Sequence, residues 1–296
     1  MQPKVSQRHL SLVLAAELKQ GTFPSTVRIL DMGCGDGQLL AYLAQSVPDQ
    51  CPGRSFDFYG FEVGDIGWRG ENYRRDTLQF LTEHVPLRPW NERIEVFSFK
   101  DAWPYRPAAF EIILSNQVLE HVQDHTFVFA EIKRCLAPGG VSVHLFPLLE
   151  SVWEGHANMP LVHHIRNGEN RRRAMLALAR LGFTKTYKKE AHFRGWTNLA
   201  EFAQIYSDVI SSMTNYKSET EIVRLARQSG LQADFSYTQG FFATKLAVLA
   251  GSAPPSNRRL RRFDRMTLPL LKRLSSVTLT LRHAPARNAR DSDIKS

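Results

Sequence analysis

The sequence predicts an α/β fold: a doubly wound, mostly parallel seven-stranded sheet with an antiparallel closing strand and a helical lid insertion. Three observations carry that expectation. Short apolar runs alternate with helix-forming segments through the first half of the chain, the rhythm of parallel strands joined by helical crossovers. A glycine-rich turn separates the first apolar run from a helical pattern, giving a strand–turn–helix unit. With 43% hydrophobic and 23% charged residues over 296 positions, the composition is that of a chain with a large core, and it excludes disordered, collagenous and coiled-coil classes.

The first strand is Val27-Arg28-Ile29-Leu30-Asp31, and Leu39-Leu40-Ala41-Tyr42-Leu43-Ala44 starts the first helix after the glycines. Further strands fall at 56–61, 94–99, 111–114 and 141–146, with helices over 71–83 and 122–136 among them. Ala137-Pro138-Gly139-Gly140 stops the second of these helices, since proline lacks the donor a helix needs and glycine leaves it readily. After Pro147 the rhythm breaks, and 148–217, rich in His, Arg and Trp, reads as a helical lid. An amphipathic helix over 219–228 follows, then strands at 231–237 and 241–250 that form a closing hairpin. Gly251-Ser252-Ala253-Pro254-Pro255-Ser256 is a linker by composition, so the expected domains are 1–256 and a basic tail, 257–296.

Cys34, Cys51 and Cys135 are odd in number and widely spaced, and they read as reduced thiols rather than a disulfide or zinc framework. No apolar run reaches the roughly 18 residues of a membrane span, and the first thirty residues lack a signal-peptide core. A cytoplasmic location is therefore expected. The net charge of +9 is concentrated after Ser256, where nine Arg and two Lys face three Asp, a surplus of eight. Arg258, Arg259, Arg261, Arg262 and Arg265 surround Leu260 and Phe263, a mixture that suits peripheral attachment to an anionic membrane surface. RNA phosphates are the less favoured partner, and a merely solvated tail is the plainest alternative.

The most informative segment is Asp31-Met32-Gly33-Cys34-Gly35-Asp36-Gly37-Gln38. Glycines there permit positive φ and let a ligand touch bare backbone, while the helix N-terminus directs N–H groups into the crevice. A dinucleotide fingerprint would need a last glycine where Gln38 stands, and Asp31 and Asp36 would repel a pyrophosphate. A cationic or zwitterionic ligand suits them better.

With these residues the chain resembles the class I S-adenosylmethionine-dependent methyltransferases, in their small-molecule branch. The resemblance implies a cofactor, S-adenosylmethionine, held by Asp31, Gly33, Gly35 and Gly37. It extends to Glu62, which matches the family acid on the ribose hydroxyls, and to Asp101-Ala102, which matches the position beside the adenine. The run from Ile112-Ile113-Leu114-Ser115-Asn116 to Glu120-His121-Val122 resembles the family's fourth strand and following turn, placing Asn116 at the cofactor. Arg134-Cys135-Leu136-Ala137-Pro138-Gly139-Gly140 resembles the helix end before its fifth strand. Together the matches span about 27–147 and leave the lid and tail, and so the acceptor, outside.

The resemblance implies an electrophilic methyl group, so the protein must align a nucleophile behind it and exclude water, with a base where the acceptor loses a proton. The lid supplies Glu154, His156 and His163 as the catalytic candidates: either histidine as base, with the glutamate orienting one of them. Structural hydrogen bonding is the competing reading for both histidines. Trp153, Phe193, Trp196 and Tyr206 are candidates for pocket walls, each better suited to packing the lid. His144, Glu154, His156 and His163 lack a regular ligand spacing, so no metal is expected. Ser115-Asn116-Gln117-Val118 departs from the Asn- or Asp-Pro-Pro-aromatic motif of amino-methylating relatives, and Cys135 lacks the setting of a cytosine-methylating thiol. The expected function is methyl transfer to a small, carrier-linked or lipid-linked metabolite at oxygen. The alternatives are an RNA or protein methyltransferase that grips its substrate with the tail, and a non-catalytic binding protein of the same fold.

Overall fold

The computed structural model describes residues 2–64, 72–253 and 267–285. In chain order, α1 (Val5–Gln20) leads into β1 (Thr26–Met32), α2 (Gln38–Gln50), β2 (Ser55–Val63), α3 (Tyr73–His84), β3 (Ile94–Phe97), β4 (Phe110–Asn116), α4 (His125–Cys135) and β5 (Leu136–Phe146). The second half contributes a two-stranded ribbon, β6 (Trp153–Glu154) and β7 (Met159–Pro160), then α5 (Gly168–Arg180), α6 (Lys185–Arg194) and α7 (Leu199–Ser212). It ends with α8 (Glu219–Gln228), β8 (Leu231–Asp234), α9 (Thr238–Leu249), α10 (Leu268–Leu274) and β9 (Val277–His283).

The strand order is β3-β2-β1-β4-β5-β9-β8. β1 pairs in parallel with both β2 and β4, and the order reverses on either side of it, which opens a crevice at the carboxyl ends of these strands. β9 is antiparallel to both neighbours, β5 and β8. Helices α1, α2, α3 and α9 cover one face, with Leu10, Val13, Leu14, Leu40 and Leu43 buried against the sheet; α4 and α8 cover the other, with Phe129, Ile132 and Ile222 in one cluster with Ile113 of β4. The lid has its own small core of Met159, Met175, Phe202 and Tyr206. Among the described residues no helix is long and apolar enough to cross a membrane.

Two expectations need correction. The apolar run 241–250 is helical: Thr238, Phe241 and Thr244 are buried at helical spacing, and Phe241 packs on His9 of α1 with ring centres 5.2 Å apart. The partner of β8 is therefore β9, drawn from the stretch expected to be a tail. Val277, Leu279 and Leu281 alternate with Thr278 and Thr280 and are fully buried, the period of a strand covered on both faces. Thr278 is satisfied on the α1 side, its hydroxyl 2.8 Å from His9 Nε2 and its N–H donating to Thr238 Oγ1 at 3.0 Å. The methyltransferase-like sheet thus extends beyond residue 256. The arginine cluster 258–265 and residues 286–296 lie outside the described residues.

Candidate active site

The glycine loop sits at the carboxyl end of β1. Gly33, Gly35 and Gly37 have φ of 71°, 56° and 77°, the left-handed region. The N–H groups of Gly33 and Cys34 both donate to Phe61 O at 2.9 Å, tying the loop to β2. A Cβ on Gly33 would stand 2.7 Å from Val118 Cγ2, so space as well as dihedral demands glycine there. Asp31, Gly33, Gly35 and Glu62 line a cavity of about 740 Å³, into which α1 brings Lys4 and Gln7 and β4 brings Asn116. Gly37, two residues beyond Gly35, is the N-cap of α2, and a Cβ there would stand 2.9 Å from Leu81 Cγ.

Asp31 is buried, and neither of its carboxylate oxygens meets a donor among the described residues. Burial, then the charges of Glu62 and Asp36, push its pKa well above the usual carboxylate range. Such a trio of acids is relieved by a cation. Glu62 Oε2 accepts from Gly35 N–H and Oε1 from Val63 N–H, each at 3.2 Å, and Tyr73, whose hydroxyl donates to Gly35 O, stands beside it. Glu62 Oε2 also lies 3.5 Å from the Tyr73 hydroxyl, and the carboxylate faces the cavity. Asn116 Oδ1 is likewise buried without a donor among the described residues. An ammonium at Asp31 therefore fits the residues present, with the Glu62 carboxylate in the same cavity.

Asp101 and Ala102 are exposed and do not line the cavity; Phe97, Phe99 and Trp103 do. The cause is a clamp from α4. Trp103 N–H donates to Glu131 Oε2 at 2.8 Å, and Arg134 donates to Trp103 O at 3.0 Å and to Tyr105 O at 2.5 Å, so the chain is pinned two residues beyond the expected position. The flat wall at this end is aromatic, with Phe61 backing Phe97 and Trp103 at ring-centre distances of 4.8 Å each.

The far end of the cavity is lined by His121, Asp124, His156, Ser212 and Met213. His121 ends a short 3₁₀ turn after β4, and His156 lies in the loop between β6 and β7. Their Nε2 atoms are 3.2 Å apart. Glu154 is buried, with Oε1 2.7 Å from His156 Nδ1 and also accepting from Tyr216 O–H at 2.8 Å; Oε2 accepts from Ala157 N–H at 2.6 Å. His121 Nδ1 is 2.6 Å from Met213 O.

These partners assign the protons. A carbonyl and a carboxylate both accept, so His121 Nδ1 and His156 Nδ1 both carry hydrogen. A hydrogen bond between the facing Nε2 atoms then needs one proton, and the pair that holds it carries a single positive charge opposite Glu154. Burial disfavours both charged forms, yet the hydrogen-bonded pair overrides it: His156 is raised above, and Glu154 held below, its ordinary pKa. Burial keeps His121 low. Next to His121, Glu120 is buried, its carboxyl pushed up to about 8 by burial.

The structure thus joins Glu154 to His156 and leaves His163 apart. His163 is buried outside the cavity with Nε2 3.2 Å from Leu149 O and its ring 5.1 Å from that of Tyr216. His144 lies inside the sheet, each nitrogen within 2.8 Å of a serine hydroxyl, from Ser115 and Ser142, and burial pushes it down to about 3. Trp196 and Tyr206 pack the lid core, while Trp153 and Phe193 are exposed. Among the described residues no cluster of His, Cys, Asp and Glu has the form of a metal site. Sequence reasoning missed His121 and Tyr216 as parts of this site; a histidine at the end of β4's turn was the only available signal.

A family model for a methyltransferase domain matches residues 5–234. No curated protein matches the chain. The solved structure of PKMT2 from Rickettsia typhi in complex with AdoHcy is similar, with a TM-score of 0.50 and 14% identity over 95% of this chain and 54% of that one. A Galdieria sulphuraria protein assigned as a sarcosine dimethylglycine methyltransferase is similar with a TM-score of 0.47 and 13% identity, over 94% of this chain and 85% of that one. At such identities the likeness concerns the fold.

Proposed function

The chain belongs to the methyltransferase-domain family and uses S-adenosylmethionine, and from that premise we propose that it methylates an oxygen of a small or carrier-linked metabolite, the His121–His156 pair taking the acceptor's proton. The observation that carries this reading is one continuous cavity with an acidic, glycine-lined end and a histidine end. S-adenosylmethionine supplies, when bound, a methyl group made electrophilic by its sulfonium. Asp31 offsets the ammonium charge, Glu62 accepts from the ribose hydroxyls, and Phe97, Phe99 and Trp103 give the adenine a flat apolar wall. The acceptor hydroxyl enters between the imidazoles and donates to the Nε2 that lacks hydrogen. That nitrogen is His121 Nε2, so the proton taken makes a second charge in the pair, while Glu154 offsets the one already on His156; Tyr216 O–H and Ala157 N–H keep that carboxylate in place. Closure by the lid excludes water from a cation that water would otherwise attack.

The test is incubation of the protein with methyl-labelled cofactor and a cell extract, followed by mass spectrometry of every fraction. The reading expects one methyl added to a small or lipid-soluble molecule. Label found in RNA or protein alone would overturn it.

A further inference from the structure

Of the three lid helices, α5 and α7 bury residues in the lid core, whereas α6 buries none. Its inner side is fixed by contacts. Tyr187 stacks parallel to Trp196 at 6.5 Å and meets Phe202 edge-on at 5.9 Å, and Glu190 accepts from Tyr206 O–H at 2.9 Å and from Arg194 Nε at 2.8 Å. The opposite side carries Lys185, Lys188, Lys189, His192 and Phe193, spaced i, i+3, i+4, i+7 and i+8, and all five are exposed. This face holds three lysines and no acid, because the helix's one acid, Glu190, points inward. Phe193 is 85% exposed, and Leu181, just before the helix, is 76% exposed.

Cations alone would suit water or a phosphate backbone. Two large apolar side chains displayed among them suit neither, since each keeps apolar area wet without a contact to offset it. An anionic lipid surface accommodates both: phosphates meet the lysines, and the apolar groups enter the boundary between headgroups and acyl chains. The expectation of membrane contact from the arginines at 258–265 rests on residues outside those described, so α6 is a separate, fully described surface. We propose that α6 is the element through which the lid rests on an anionic bilayer.

The experiment is cosedimentation of the full-length protein with vesicles of phosphatidylcholine containing phosphatidylglycerol, and with phosphatidylcholine alone. Its readout is binding, so it stands or falls independently of the acceptor. Wild type should prefer the anionic vesicles, and the preference should weaken with salt, since screening acts over about 8 Å at physiological ionic strength. The triple variant Lys185→Gln, Lys188→Gln, Lys189→Gln should lose roughly two orders of magnitude in partitioning, and Phe193→Ser about one. Both variants should keep wild-type thermal unfolding and cofactor affinity, because the altered side chains are exposed. Equal partitioning of wild type and variants would overturn the proposal. So would binding of an RNA oligonucleotide that the triple variant loses while vesicles remain unbound.

Discussion

Replacing Glu154 by Gln tests the proton assignment without an acceptor in hand. The side chain keeps its shape and one accepting oxygen, but it loses its charge. Glu154 Oε1 lies 2.7 Å from His156 Nδ1, and the carboxylate also accepts from Tyr216 O–H and from the N–H groups of His156 and Ala157. A hydrogen bond between charged partners contributes about 1.5–3 kcal/mol, which corresponds to about one to two pH units in His156. In the wild type the imidazole should titrate above its ordinary 6.5, and in Glu154→Gln it should fall below that value. A raised folded-state pKa means that folding binds the proton. The associated stability is therefore fully present below pH 6.5 and lost as pH rises through the folded value. Wild type should thus weaken across that window, and the variant should show no such loss there. The variant also sets an amide donor against the Ala157 N–H, costing about 1–3 kcal/mol at neutral pH. Histidine ring NMR titration reads the pKa values, and denaturant unfolding against pH reads the stability. A wild-type His156 that titrates at or below 6.5, or one that does not move in the variant, would refute the assignment.

Glu62→Ala should weaken S-adenosylmethionine by an order of magnitude or more, from lost acceptors worth about 1.5–3 kcal/mol each, as read by calorimetry. Gly33→Ala should abolish cofactor binding in the same assay while the protein stays folded, because the new Cβ needs the space of Val118 Cγ2 at a φ of 71°. Leu279→Ala should cost about 2–5 kcal/mol in denaturant unfolding. A chain ending at Ser256 should not fold to the native sheet, since it lacks β9 between β5 and β8.

What the sequence made legible was local. The glycine loop and Glu62 lie on consecutive strand ends, and their chemistry can be read from neighbours along the chain. Glu154 and His156 are two residues apart and could be paired on paper. His121 and His156 are 35 residues apart, and only the lid's return over the turn after β4 brings their rings together. Asp101 stands outside the cavity lining because the Glu131 and Arg134 clamp draws Trp103 inward instead, a tertiary contact with no signature at the motif. The alternation Val277-Thr278-Leu279-Thr280-Leu281 was visible, but a charge surplus summed over 257–296 hid a neutral strand among basic neighbours. The run 241–250 read as a strand because it is apolar; it belongs to a helix that buries Phe241 and Thr244, one turn apart.

The most direct measurement of the central claim is carbon-13 NMR of the product formed from methyl-labelled S-adenosylmethionine, for wild type, His121→Gln and His156→Gln. An oxygen-bound methyl resonates apart from a nitrogen- or sulfur-bound one, so the spectrum reports the acceptor atom itself. The account predicts an O-methyl signal for wild type and its loss in both variants, with calorimetry showing that each still binds the cofactor. A nitrogen- or sulfur-bound methyl, or full O-methyl yield from both variants, would contradict it.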